Sequence, residues 1–195
     1  MSGRFIVLEG PDGSGTTHHC KRLAETLLSR GIEVLLTAEP TNGPVGSRIR
    51  EFLREGMLPP DALQLLFCAD RAAHVRLDIL PALNAGKTVI CDRYALSTIA
   101  YGEAQGLNPA WLTQLNEPFV KPDLQLLLLP PLSVSLKRLA KRPSQDSMEE
   151  SGLQERVHRS YARLAAADAS MHVIDTSDEK DDVAALILQL VTQDL

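Results

Sequence analysis

The chain has 195 residues, 44% of them hydrophobic and 23% charged, and a formal net charge of −5. That is enough to bury a core without disulfides or a structural metal, and the composition excludes disordered, collagen-like and coiled-coil classes. Aromatic residues are only 4% and bases form no clustered face, so the chain does not read as a nucleic-acid binder.

Residues 5–8 are a short apolar run that predicts a first strand and leads into a glycine-rich turn. Residues 21–30 predict a helix, with Leu23, Leu27 and Leu28 on one face and Gly31 as its stop. Residues 34–37 predict a second strand and 45–53 a helix. A long helical stretch over 61–85 places Leu65, Leu66, Ala69, Ala72 and Ala73 at helical spacing, with a break expected near His74 or Pro81. Residues 88–91 predict a third strand. Helices follow at 95–103 and 109–117, the second opening with Pro109 at its first turn. Residues 124–129 are nearly continuous leucine, the pattern of a strand buried on both faces. Helices over 133–141 and 153–167 are separated by a polar stretch. A fifth strand at 171–174 and a helix at 181–191 complete the series. Strands interleaved with helices predict an α/β fold, a three-layer sandwich whose five-stranded parallel sheet is covered on both faces. No repeat or linker divides it, so one domain is expected over 1–195, with 142–152 (RPSQDSMEESG) as a candidate lid loop.

The acidity is local. From Ala165 onward there are seven acids (Asp168, Asp175, Asp178, Glu179, Asp181, Asp182 and Asp194) and one base, Lys180, while the rest of the chain is close to balanced. Cys20, Cys68 and Cys91 form no CxxC pair and no metal-ligand spacing, so they read as reduced thiols in a cytoplasmic protein. The apolar runs at 5–8 and 126–129 are each four residues long, far short of the roughly 20 a membrane span needs, and no membrane association is expected.

The first strand runs into Gly10, Pro11, Asp12, Gly13, Ser14, Gly15, Thr16 and Thr17. This is the spacing of the phosphate-binding loop GxxxxGK[ST], with Thr16 where the lysine belongs. Glycines let the backbone turn its N–H groups inward, and the following helix adds its N-terminal dipole, which makes an anion cradle. Thr17 stands where a hydroxyl ligand of Mg²⁺ would sit. The plainer alternative is a ligand-free strand-to-helix turn. Thr16 cannot place the point charge that lysine brings to the β- and γ-phosphates. Either another cation supplies it, or transfer is impaired more than binding.

Together with a downstream motif, this loop resembles that of thymidylate kinases. The likeness runs through FIVLEGPDGSG at 5–15, EPTNGPVGSRIR at 39–50, LLFCADRAAHVRLDILPALNAG at 65–86, DRYALSTIAY at 92–101, PDL at 122–124 and RVHRSYARLA at 156–165. The resemblance implies phosphoryl transfer from ATP to dTMP with Mg²⁺, in a homodimer. It also implies roles. Phe67 would stack on the thymine and Arg71, one turn on, would reach the base edge; the alternatives are a core residue and a salt bridge with Asp70 or Asp78. Ser97 and Thr98 would bond the base or else cap a helix. Tyr101 would lie against the sugar or else be a core tyrosine. Arg93, with Arg50, would hold the acceptor phosphate, and Glu39 and Pro40 would shape its site. Asp12 would sit near the sugar 3′-hydroxyl and the metal's waters, and Asp92 would join Thr17 at the metal.

Arg93 and Asp12 are thus candidate catalytic residues. The third is Arg142, since the family keeps a catalytic arginine in the loop or the lid and this loop has Ser14. Arg138 and Lys141 stand behind it, and a solvated helix face is the alternative. The lid departs from the family pattern, with Pro143 after Arg142 and Ser147 after Asp146. Two other readings remain open: a catalytically weak nucleotide-binding protein of the same fold, or a kinase for another nucleoside monophosphate.

Overall fold

A computed structural model of the chain describes residues 3–56, 58–141 and 151–193. Five strands, β1 (Phe5–Glu9), β2 (Val34–Ala38), β3 (Thr88–Asp92), β4 (Leu124–Leu128) and β5 (His172–Ile174), form one all-parallel sheet in the order β2-β3-β1-β4-β5. The α/β sandwich expected from the alternation is the fold observed.

Period-two alternation along the strands builds the two cores. Ile6, Leu8, Ile90, Leu124, Leu126, Leu128 and Ile174 face one way, against α1 (Thr16–Ser29) and α9 (Lys180–Gln193). Phe5, Val7, Val89 and Cys91 face the other way. They pack on a π-wound turn (Val75–Ile79) and α4 (Leu80–Asn84), which continue the helix α3 (Pro60–His74). A third cluster joins Leu127 to α2 (Pro44–Glu55), α5 (Ala95–Ala104) and α8 (Ser151–Ala167). The short helices α6 (Pro109–Asn116) and α7 (Leu132–Leu139) complete the described elements. Among these residues no helix is long and apolar enough to cross a membrane.

Two differences from expectation bear on the site. The helix expected from Lys21 starts at Thr16, directly on the glycine-rich turn. Its first turn, Thr-Thr-His-His, is polar, so apolar periodicity could not show it. The break expected near His74 or Pro81 is a change of winding between them, where Leu80 N–H donates to Val75 O, five residues back. Helical backbone continues through it. Of the candidate lid, 142–150 lie outside the described residues, and Ser151 and Gly152 open α8.

Candidate active site

Three neighbouring strands deliver their carboxyl ends to one edge of the sheet, where ligands of open α/β folds collect. β1 runs into the glycine-rich loop, β2 into Glu39 and Pro40, and β3 into Asp92 and Arg93. The loop closes tightly. Gly13 and Gly15 take φ of +81° and +97°, and a Cβ on Gly13 would stand 2.6 Å from Ser135 O. Thr176 Oγ1 donates to Ser14 O at 2.6 Å, and Arg138 donates to Gly13 O at 3.2 Å and to Thr176 O at 2.6 Å. Arg138 is therefore a brace of the loop backbone from behind. Thr16 is buried at the start of α1. His19, also buried, has its pKa pulled down to about 4 by burial and by the neighbouring His18, so it is neutral near pH 7.

A cavity of about 370 Å³ opens beside the loop. Asp12, Glu39, Pro40, Arg50, Phe67, Arg71, Arg93, Ser97, Thr98 and Tyr101 all line it, together with Thr17 and Asp92. The resemblance assigned those first ten residues to one ligand, and the fold brings them from five segments around one cavity. Arg142 lies outside the described residues.

Asp12 is the hub. Its carboxylate accepts from Arg93 Nη2 at 2.6 Å, from Tyr101 OH at 2.7 Å and from Gln154 Nε2 at 2.8 Å. Asp12 N–H donates to the same Tyr101 oxygen at 3.1 Å, so α5 holds the loop by one hydroxyl. Burial and the Asp12 carboxylate, against the pull of Arg93, drive the Tyr101 hydroxyl far above its usual range and keep it protonated. Arg93 has a left-handed backbone, φ 68°, unusual for a side chain of its size. That backbone turns its guanidinium over the Tyr101 ring, 5.3 Å from the centroid, and toward Ser97 Oγ at 3.4 Å.

Beneath them lies Glu9, fully buried at the end of β1. It accepts from the N–H groups of Tyr94 and Leu96 at 2.9 and 3.1 Å and from Ser97 Oγ at 2.5 Å, closing the N-terminus of α5. Burial raises its pKa, opposed by the Ser97 bond. Ser97 thus serves the helix terminus through Glu9, and it also meets Tyr161 OH at 2.8 Å.

The far wall carries a buried ion pair. Arg71 and Glu39 side chains are 1% and 3% exposed and stand 2.7 Å apart. Arg71 Nε also donates to Glu39 at 2.9 Å, Nη2 donates to Thr98 Oγ1 at 3.0 Å, and Nη1 donates to Asn116 Oδ1. Its ion partner is therefore Glu39, not Asp70 or Asp78. Asp70 instead accepts from Thr41 N–H and Oγ1. The other Glu39 oxygen faces His74 Nδ1 at 3.0 Å. Because a carboxylate only accepts, Nδ1 carries a proton, and Nε2 pairs with Thr37 Oγ1 at 2.7 Å. Glu39 is more than a turn residue. Arg50 donates to the carbonyls of Pro40 and Thr41, tying α2 to the end of β2.

Thr17 Oγ1 donates to Asp92 Oδ2, while Asp92 Oδ1 is buried with no hydrogen-bond partner among the described residues. A carboxylate with an orphaned oxygen beside a hydroxyl is a hard oxygen donor set that suits Mg²⁺.

Chain-wide comparison decides the family. A thymidylate kinase family model matches residues 8–187. The chain belongs to the thymidylate kinase family. It is 42% identical to a probable thymidylate kinase of Pyrococcus horikoshii, an alignment covering 100% of this chain and 98% of the relative. It is 44% identical to a thymidylate kinase of Pelotomaculum thermopropionicum (91% and 87% covered) and 39% identical to one of Pseudomonas fluorescens (99% and 97%).

Sequence reading missed several residues in the site of this thymidylate kinase relative. Glu9 was visible as an acid closing an apolar strand. His74, Asn116 and Gln154 gave no local signal, because each meets its partner across the fold. Gln64 lies one turn before Phe67 and lines the cavity; it is fully buried, with Oε1 unpartnered.

Proposed function

We propose that this chain transfers the γ-phosphoryl group of ATP to dTMP, giving ADP and dTDP. The observation that carries the reading is the cavity itself. Asp12 of the glycine-rich loop, Arg93 just after β3 and the Phe67–Arg71 face of α3 line the same cavity. In this reading Gly10, Pro11, Asp12, Gly13, Ser14, Gly15, Thr16 and Thr17 cradle the donor phosphates through their backbone. Arg93 and Arg50 hold the acceptor phosphate. Phe67, Ser97, Thr98 and Arg71 enclose the base, and Tyr101 flanks the sugar. Arg71 acts as a fixed wall held by Glu39, not as a free arm. Asp12 orients Arg93 and faces the sugar hydroxyl. Arg142, the remaining candidate for a catalytic cation, lies outside the described residues.

Thr17 and Asp92 would hold Mg²⁺, which when bound would neutralise phosphate charge. The chain's own part is to fix the two substrates in line, keep water out and present N–H donors to the oxygens that gain charge. No residue needs to form a covalent bond.

A homodimer is part of the same proposal. Leu65, Leu77 and Leu80 on the α3–α4 stretch are 49%, 73% and 38% exposed, an apolar stripe a second copy would cover. The three free cysteines are buried, which fits a reducing compartment such as the cytoplasm. The deciding experiment is steady-state turnover with ATP–Mg²⁺, comparing dTMP, dUMP and dGMP as acceptors. The expected result is strong preference for dTMP. A folded sample that binds nucleotide but forms no product above background overturns the reading.

A further inference from the structure

The loop carries Thr16 where a lysine would face the phosphates, and phosphoryl transfer still needs a cation against the oxygens that gain charge. The cations lining the main cavity are held by protein groups, and the reading above assigns them to the acceptor side. Arg93 is bonded to Asp12 and Ser97, Arg71 to Glu39, Thr98 and Asn116, and Arg50 to two carbonyls. Arg138 is held by Gly13 O and Thr176. His19 is buried under Gly15, with its ring carbon 3.5 Å from where a Cβ on that glycine would be.

A second cavity, about 230 Å³, opens between α1 and β2. It shares Thr17, Ala38, Pro40, Arg50 and Asp92 with the first, so the two adjoin at the loop-proximal end of α1. Its remaining cation is Lys21. Among the described residues that line either cavity, Lys21 is the one cation with neither a hydrogen bond nor an ion pair. Lys21 and Thr17 are four residues apart on α1, hence on one face and about 6 Å apart along the axis. Helical side chains lean toward the N-terminus, so the lysine stem runs back over the turn of Thr17.

We propose that Lys21 is a catalytic cation that takes over the role of the absent loop lysine, reaching the phosphoryl group in transit from the α1–β2 side. The proposal rests on the kinase reading above. In the step, an acceptor phosphate oxygen bonds to the γ-phosphorus as the bond to the β–γ bridging oxygen breaks. The electron pair of the broken bond stays on ADP. Lys21 keeps its proton throughout and donates N–H bonds to the oxygens on which charge builds.

The test uses Lys21→Met, Lys21→Arg, Thr16→Lys and the double variant Thr16→Lys/Lys21→Met. Each is read by turnover of ATP–Mg²⁺ with dTMP and by calorimetric binding of a non-hydrolysable ATP analogue with Mg²⁺. Lys21→Met should lower kcat by roughly 100-fold, in the range of losing one preorganised donor to transition-state charge. Lys21→Arg should stay within about tenfold of the parent, and Thr16→Lys should restore at least about tenfold to Lys21→Met. Two results overturn the proposal: Lys21→Met within about threefold of the parent, or Thr16→Lys alone raising turnover by orders of magnitude. If the parent protein turns over no dTMP, the kinase reading fails on its own. Lys21 is then decided by binding, where Lys21→Met must weaken the analogue at least about fivefold, and an unchanged affinity overturns the assignment.

Discussion

Removing the carboxylate of Glu39 isolates the charge that makes the far wall of the cavity. In the parent protein Arg71 is 1% exposed and 2.7 Å from Glu39, with Asn116 and Thr98 as its only other polar partners among the described residues. Glu39→Ala leaves that guanidinium charged, buried and short of its counter-ion. Breaking a buried pair from one side costs about 3–5 kcal/mol. The low end, about 3 kcal/mol, applies here because Arg71 borders the open cavity and water can reach it. For a chain of this size each kcal/mol moves Tm by about 2–4 °C, so Tm should fall by about 6–12 °C.

Urea and thermal denaturation of the apo protein give the measurement, and the double variant Glu39→Ala/Arg71→Met gives the control. With both charges gone, most of the loss should return, because a buried pair replaced by apolar groups is often close to neutral. A Glu39→Ala variant within about 0.5 kcal/mol of the parent would refute the reasoning, placing Glu39 among surface-like residues. So would a double variant as damaged as the single one.

Other outcomes follow from the same geometry. His19 has a folded pKa of about 4 against 6.5 for the free side chain, so the unfolded chain binds more protons between those values. Stability is full above about pH 6.5 and declines as pH falls toward 4, by up to about 3 kcal/mol from this group. His19→Gln should flatten that limb in urea titrations, and an unchanged limb removes His19 as its source. Tyr101→Phe deletes the hydroxyl that both donates to Asp12 and accepts its N–H. It should cost about 1–3 kcal/mol in denaturation and raise KM for ATP as the loop loosens, and an unchanged KM would show the loop to be held elsewhere. Thr17→Val keeps the shape but leaves both Asp92 oxygens without a donor. The Mg²⁺ concentration for half-maximal turnover should rise by about tenfold or more, and an unshifted Mg²⁺ titration counts against Thr17 at the metal.

The sequence by itself determined the layers. Five apolar runs separated by helical periods allow little but a covered parallel sheet, and the glycine spacing after the first run is a local signal because a phosphate cradle is made of consecutive residues. The DRY and LLFCADR segments were legible through their resemblance to the family. What sequence could not show are relations across the fold. Arg71 reads as a base-reaching arm until Glu39, 32 residues away, is seen to hold it. Ser97 lines the cavity, but its bond to Glu9, 88 residues away, shows only in the fold. Arg138 reads as a transition-state cation until it is seen bonded behind Gly13. Hydrogen bonds and ion pairs form wherever folding brings donors and acceptors within 3 Å, and strand order, not sequence distance, sets those encounters. The absent lysine at Thr16 was plain from the sequence, but only the tertiary structure shows Lys21 beside the second cavity and, among the described residues, without a hydrogen bond or ion pair.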